Sequence, residues 1–226
     1  VEVYKTEEEQ LEAFKRWLRD NGRQVLLGIL TAAVVAFGIY SWQQRQMHQR
    51  EAASIAYENL LHAARQLDAQ NDNDTLATAQ HLADSLKSDF ANSAYAQFAA
   101  LFNAKIAVQQ NDLARAESEL RWVLDHRPVQ EIKATTQLRL ARVLHAKGDD
   151  NGALALLDGD VGSYGAAYLQ LRGDIELARG NIGASKAAYA KAQELERKMT
   201  TPINDPLLDM KLRDLQAGEP TPEQGA

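Results

Sequence analysis

An all-α chain in two parts is what this sequence predicts: one helix that spans a membrane, then a long domain of stacked helices. Three observations carry that expectation. Residues 24–44 contain no charge. After residue 50, apolar residues recur at three- and four-residue steps between short polar turns, and no stretch alternates with period two for long enough to make a strand. Ala and Leu are abundant, while Pro is nearly confined to Pro128 and the last 25 residues, a composition suited to packed helices.

The N-terminal segment, residues 1–24, carries five Lys/Arg against six Asp/Glu, leaving 20 basic and 25 acidic residues for the remainder. Nothing in this distribution resembles a nucleic-acid footprint. Leu11, Phe14 and Leu18 follow i, i+3, i+7 spacing with Trp17 alongside and Lys15, Arg16 and Arg19 close by. That pattern suits a short helix on the inner membrane surface, and an ordinary cytoplasmic helix suits it as well.

Residues 25–42 read VLLGILTAAVVAFGIYSW, near the roughly 20 apolar residues needed to cross ~30 Å of hydrocarbon. A buried core helix is the rival reading, but Arg23 and Arg45 bracket the run, and Tyr40 and Trp42 at its edge fit an interfacial belt. A cleaved signal peptide is the other rival. It would be shorter and closely followed by a small-x-small site, whereas QQRQMHQRE follows Trp42 here, so an uncleaved anchor is expected over 25–44. Lys15, Arg16, Arg19 and Arg23 precede the span, against Arg45 and Arg50 after it, which places the N-terminus in the cytoplasm and, in a bacterium, the bulk of the chain in the periplasm. Gly28, Ala32 and Ala36 set small residues on one face of the span, either a transmembrane packing face or simply small membrane residues.

From residue 45 to 217 the polar punctuation falls at 71–74, 91–92, 111–112, 126–128, 148–149, 159–165 and 180–181, implying eight or nine helices of 10 to 19 residues. Residues 218–226 read as a flexible tail. Three turns share their surroundings: FNAKIAVQQNDLARAESEL, LARVLHAKGDDNGALALL and RGDIELARGNIGASKAAY. Asn111, Gly148 and Gly180 are 37 and 32 residues apart; each is preceded by seven residues by Ala104, Ala141 or Gly173 and followed by five by Ala116, Ala153 or Ser185. Leu120, Leu157 or Tyr189 comes four residues further on. This resembles the tetratricopeptide repeat, a helix-turn-helix unit near 34 residues whose small residues let helices meet closely. Asn103, Arg172 and Glu176 depart from it, standing where the repeat usually has bulky apolar residues. The fold class is therefore an N-terminal single transmembrane helix followed by a tetratricopeptide-like α-solenoid, an architecture that leaves a concave surface for partners.

Counting back from each turn to the positions that line that repeat's groove gives Phe98, Leu101, Lys105, Val108 and Gln109; then Thr135, Leu138, Arg142 and His145; then Gln170 and Asp174. Phe98, Leu101 and Leu138 also read as ordinary core residues. The mixture of apolar side chains with Lys105 and Arg142 suits an extended segment or a partner domain of some acidic character.

Motifs for chemistry are lacking. There is no cysteine, which removes disulfides, thiolate catalysis and Cys-based zinc sites. His48, His62, His81, His126 and His145 are dispersed, without the spacing of a metal pair on one helical face. Residues 162–165, GSYG, do not satisfy GxSxG, and no phosphate-cradling GxxxxGK occurs. Asp72, Asp74, Asp149 and Asp150 lack the twelve-residue calcium loop with its closing Glu, and helix capping explains them more simply. No cofactor, metal or catalytic residue is expected; a membrane-tethered hydrolase is the weakest reading.

The N-terminal third carries a closer likeness. VYKTEEEQLEAFKRWLRDNGRQVLLGILTAAVVAFGIYSWQQ is similar to the start of the YfgM-like proteins, ancillary subunits of the bacterial SecYEG translocon, through TEEEQ at 6–10, the cluster at 15–17, Asn21-Gly22, Gly28 and the Tyr40-x-Trp42 exit. LRLARVLHAKGDDNGALALLD and LRGDIELARGN resemble that family's later repeats. The resemblance implies an inner-membrane protein beside SecYEG that associates with the membrane-anchored foldase PpiD and assists exported unfolded polypeptides. A bitopic scaffold for another envelope complex is the alternative.

Overall fold

In a computed structural model, residues 7–70, 72–159, 162–198 and 205–217 are described, and among them the secondary structure is helical. The first three elements are α1 (Glu7–Gln70), α2 (Asn73–Asp89) and α3 (Ala94–Gln109); then come α4 (Leu113–Asp125), α5 (Gln130–Ala146) and α6 (Asp150–Leu156). A 3-10 turn at Gly162–Tyr164 precedes α7 (Gly165–Ala178), α8 (Ile182–Lys198) and α9 (Pro206–Ala217). Residues 1–6 of the expected cytoplasmic segment and the tail at 218–226 lie outside the described residues.

Two units divide the chain, one up to Ala52 and one from Ala53 onward. In the first, α1 runs through residues 25–44 without a break, so those limits mark a change of composition rather than of secondary structure. Gln, Arg, Met and Ala at 43–52 are good helix formers and nothing there stops it. It is the one helix among the described residues that is long and apolar enough to cross a membrane. Its apolar side chains have no protein core to enter: Leu26, Leu27, Ile29, Leu30, Val34, Val35, Phe37, Ile39, Tyr40 and Trp42 are all between 53% and 72% exposed. Its polar groups turn inward, Thr31 Oγ1 donating to the Leu27 carbonyl at 2.8 Å and Asn21 Nδ2 to that of Trp17 at 3.1 Å. Leu11, Phe14, Trp17 and Leu18 belong to the same helix and are exposed as well.

In the second unit, side-chain caps start α2, α3, α4 and α6. Asp72, Ser93, Asp112 and Asp149 each accept a hydrogen bond from the backbone N–H three residues on, at 2.8 to 3.1 Å. The carboxylates of Asp72 and Asp149 are thereby engaged in capping.

The three related turns close in the same way. Asn111, Gly148 and Gly180 have φ of 58°, 85° and 79°. The next residue's N–H reaches back five residues, from Asp112 to Ala107, Asp149 to Leu144 and Asn181 to Glu176, at 2.8 to 2.9 Å. This is the left-handed Schellman ending, which favours Gly and tolerates Asn. The small and bulky residues flanking these turns are buried as the repeat register requires: Ala104, Ala141 and Gly173 before them, Ala116, Ala153 and Ser185 after, with Leu120, Leu157 and Tyr189 beyond.

Helices pack on their sequence neighbours, α2 on α3, α3 on α4, α4 on α5, α5 on α6, α7 on α8 and α8 on α9, with α5 also meeting α7. The core follows as a chain of clusters. Leu60 of α1 joins Ala83, Leu86 and Ala99; Ala104 through Ile175 fill α3 to α7; Tyr189, Ala192, Leu208 and Leu212 close the far end. Tyr168 ties α7 to α5 by donating to the Ala134 carbonyl at 2.9 Å, and burial raises its phenol pKa. One expectation fails: α6 is only seven residues long, ending before Asp158 and the left-handed Gly159 (φ 110°).

Candidate functional site

The face that α1, α3 and α5 turn outward forms a groove of about 690 Å³. From α1 come Tyr57, Leu61 and Ala64; from α3, Phe98, Leu101, Lys105 and Val108; from α5, Ile132, Thr135, Arg139 and Arg142. Leu113 of α4 and Tyr164 of the 3-10 turn also line it, and Glu131 stands at the start of α5. Each set follows three- and four-residue steps, so one stripe of each helix faces the groove. Phe98 and Val108 are 38% and 47% exposed, an open apolar surface rather than a sealed core.

The helices run in one direction here. Tyr57 meets Phe98 at 5.8 Å between ring centroids, and Asp68 meets Lys105 at 3.9 Å, so α1 is parallel to α3. The short turns either side of α4 return α5 to the same sense. Lys105 and Asp68 are both more than half exposed, so water screens their pairing. Arg139 and Arg142 form no ion pair with any described residue. Against them the lining holds one acid, Glu131, so the groove is basic in a chain of net charge −6.

Of the positions counted back from the turns, Phe98, Leu101, Lys105, Val108, Thr135 and Arg142 come together in this lining. The others stand elsewhere. Gln109 faces a separate hollow with Leu67, Asp68 and Leu76. Leu138 is 7% exposed and belongs to the main core, because one residue is about 100° around a helix and the groove takes Arg139 instead. His145 is drawn across the α5–α6 turn, its Nδ1 2.6 Å from Asp150 Oδ1. Gln170 and Asp174 serve a joint with the last two helices: Gln170 Nε2 donates to Glu196 Oε1 at 2.9 Å and Asp205 Oδ2 at 3.0 Å, and Asp174 Oδ1 accepts from Tyr189 Oη at 2.6 Å and Lys211 Nζ at 2.5 Å. Burial and the Asp174 carboxylate push the Tyr189 phenol far up.

Counting from turns misses the α1 wall, because α1 contains no turn of that kind. It also misses Ile132, Arg139 and Tyr164. A signal for Arg139 was present: in the second half of α5 the apolar run Leu138, Leu140, Ala141, Val143 and Leu144 centres on one side of the helix, and the arginines at 139 and 142 fall on the other.

Gly28, Ala32 and Ala36 lie on an open face of α1, where a Cβ at Gly28 meets nothing within 4 Å. Among the described residues no group of three or more His, Asp or Glu is placed to hold a metal ion.

The fold defines a helical-repeat protein with an open apolar groove, and the family model described as "Tetratricopeptide repeat-like domain" matches residues 15–217. Among curated proteins, the chain is 28% identical over 216 residues to the "Ancillary SecYEG translocon subunit" of Escherichia coli (strain K12), covering 95% of this chain and 99% of that protein. It is 30% identical over 203 residues to the protein of the same name in Haemophilus influenzae (87% and 96% covered). For that of Aggregatibacter actinomycetemcomitans the figures are 31% over 189 residues (83% and 89%). The chain belongs to the family of ancillary SecYEG translocon subunits.

Proposed function

We propose that this chain is a non-catalytic subunit of the bacterial inner membrane that sits beside the SecYEG translocon and hands exported polypeptides to periplasmic chaperones. On this reading α1 anchors it with the N-terminus in the cytoplasm, held there by Lys15, Arg16, Arg19 and Arg23. The helical domain then lies in the periplasm. Its partners are SecYEG, the foldase PpiD and unfolded polypeptides emerging from the channel.

One observation carries the binding role: an open groove with a partly exposed apolar lining, whose two arginines form no ion pair among the described residues. Surfaces of this kind gain by covering apolar area and by matching charge. The family name of the relatives supports the translocon as the place where this occurs.

Photocrosslinkers placed along α1 and at Leu61, Leu101 and Thr135 in membranes test it. Recovery of SecY and a foldase is the expected result; a different stable neighbour would overturn it in favour of a scaffold for another envelope complex. Lys105→Glu with Arg142→Glu should weaken partner capture several-fold while helical content and melting temperature stay unchanged, since both side chains are solvent-facing. Undiminished capture would move the binding face elsewhere.

A further inference from the structure

The groove is graded along its length. At one end the Tyr57 ring lies tilted against those of Tyr95 and Phe98, with centroids 5.1 Å and 5.8 Å away, and Ile132 adds an aliphatic side chain from the first turn of α5. At the other, the later halves of α3 and α5 bring Lys105, Arg139 and Arg142 to the wall. Because α1, α3 and α5 run in one direction, the aromatic and cationic groups do not mix.

What the lining lacks is a means of pairing with a backbone. Apart from the three cations, its polar side chains are Glu131, Thr135 and the hydroxyls of Tyr57 and Tyr164. The backbone groups of the walls are spent inside their own helices, and the described residues offer no sheet edge. An extended segment lying here would bring one N–H and one C=O per residue into an apolar trough and leave most of them without partners. A helix has already paired its own.

We propose that the groove takes an amphipathic helix of a partner protein, its apolar stripe running along Phe98, Leu101 and Val108 and its acidic residues meeting Arg139 and Arg142. The arginines are spaced i, i+3 on α5, so acidic residues within a single turn of the incoming helix can face both. An apolar stripe at i, i+3, i+4, i+7 supplies the remaining contact. The charge gradient selects the direction in which the helix lies, because the reversed orientation sets its carboxylates against aromatic rings. This inference rests on the groove being the binding face.

Fluorescent peptides of roughly 16 residues, long enough to reach helical conformation, test it by anisotropy against the full chain in lipid nanodiscs, with empty nanodiscs as control. The first carries Leu at helical spacing and a Glu pair on the same face. A second has the same composition with Leu at every other position, and a third replaces Glu by Lys. The first should bind about tenfold more tightly than the other two. Arg139→Glu with Arg142→Glu should reverse the preference between the first and third. Tighter binding of the alternating peptide, lost in Val108→Arg, would overturn the helix and leave the groove standing as a binding face. Binding that Val108→Arg does not alter would overturn both, and absence of binding by all three would overturn the helix.

Discussion

Gly173 shows how much of the repeat depends on one missing side chain. A Cβ built there would sit 2.3 Å from Cε1 and 2.5 Å from Cδ1 of Tyr189. The ring cannot retreat, because Tyr189 is fully buried and its hydroxyl donates to Asp174 Oδ1 at 2.6 Å. Helix propensity alone would make Gly173→Ala stabilising by about 0.5–1 kcal/mol. Packing should win: we expect Gly173→Ala to lose about 1–3 kcal/mol in urea denaturation, and Gly173→Leu to lose more. A variant as stable as the parent would show that α7 and α8 can separate without loss.

Where α7, α8 and α9 meet, the joint is polar as well as apolar. Leu208 and Leu212 of α9 pack with Tyr189 and Ala192, while Gln170, Gln193 and Lys211 donate to Glu196 and Asp205, Asp209, and Asp174 respectively. Burial, then the neighbouring Asp205 charge, holds the Glu196 carboxyl above its ordinary range. Since its folded pKa is raised, the folded state binds the proton more strongly than the unfolded chain. Stability is therefore lost as pH rises from the unfolded value near 4.5 through the raised one. Glu196→Gln keeps an acceptor for Gln170 and removes the charge. It should stabilise the domain at neutral pH, with the advantage vanishing toward pH 4, as measured by melting across that range. A gain that stays constant with pH would assign it to something other than ionisation.

For the whole molecule the testable property is which side of the membrane each unit occupies. The natural chain has no cysteine, so single replacements report cleanly. Glu12→Cys in the first unit and Asp125→Cys in the second are both at exposed positions. With the N-terminus in the cytoplasm, a membrane-impermeant maleimide added to intact spheroplasts should label Asp125→Cys and leave Glu12→Cys untouched until the membrane is permeabilised. The opposite pattern would invert the proposed orientation.

From sequence alone came the helical class, the apolar run in α1 and the register of three repeats, because each is written in local spacing. Runs without charge, small residues at fixed offsets and Gly or Asn at a left-handed turn impose their structure over a few residues, whatever the rest of the chain does. The groove was legible only where a helix face could be reckoned from its own turn, as for Phe98, Lys105 and Arg142. Tertiary structure alone decided that α1 supplies a wall through Tyr57 and Leu61. It also decided that Gln170 and Asp174 are taken up by Glu196, Asp205 and Lys211. A surface exists only where distant helices stop covering one another, and the rotation of each helix about its axis is set by the neighbours against which it packs.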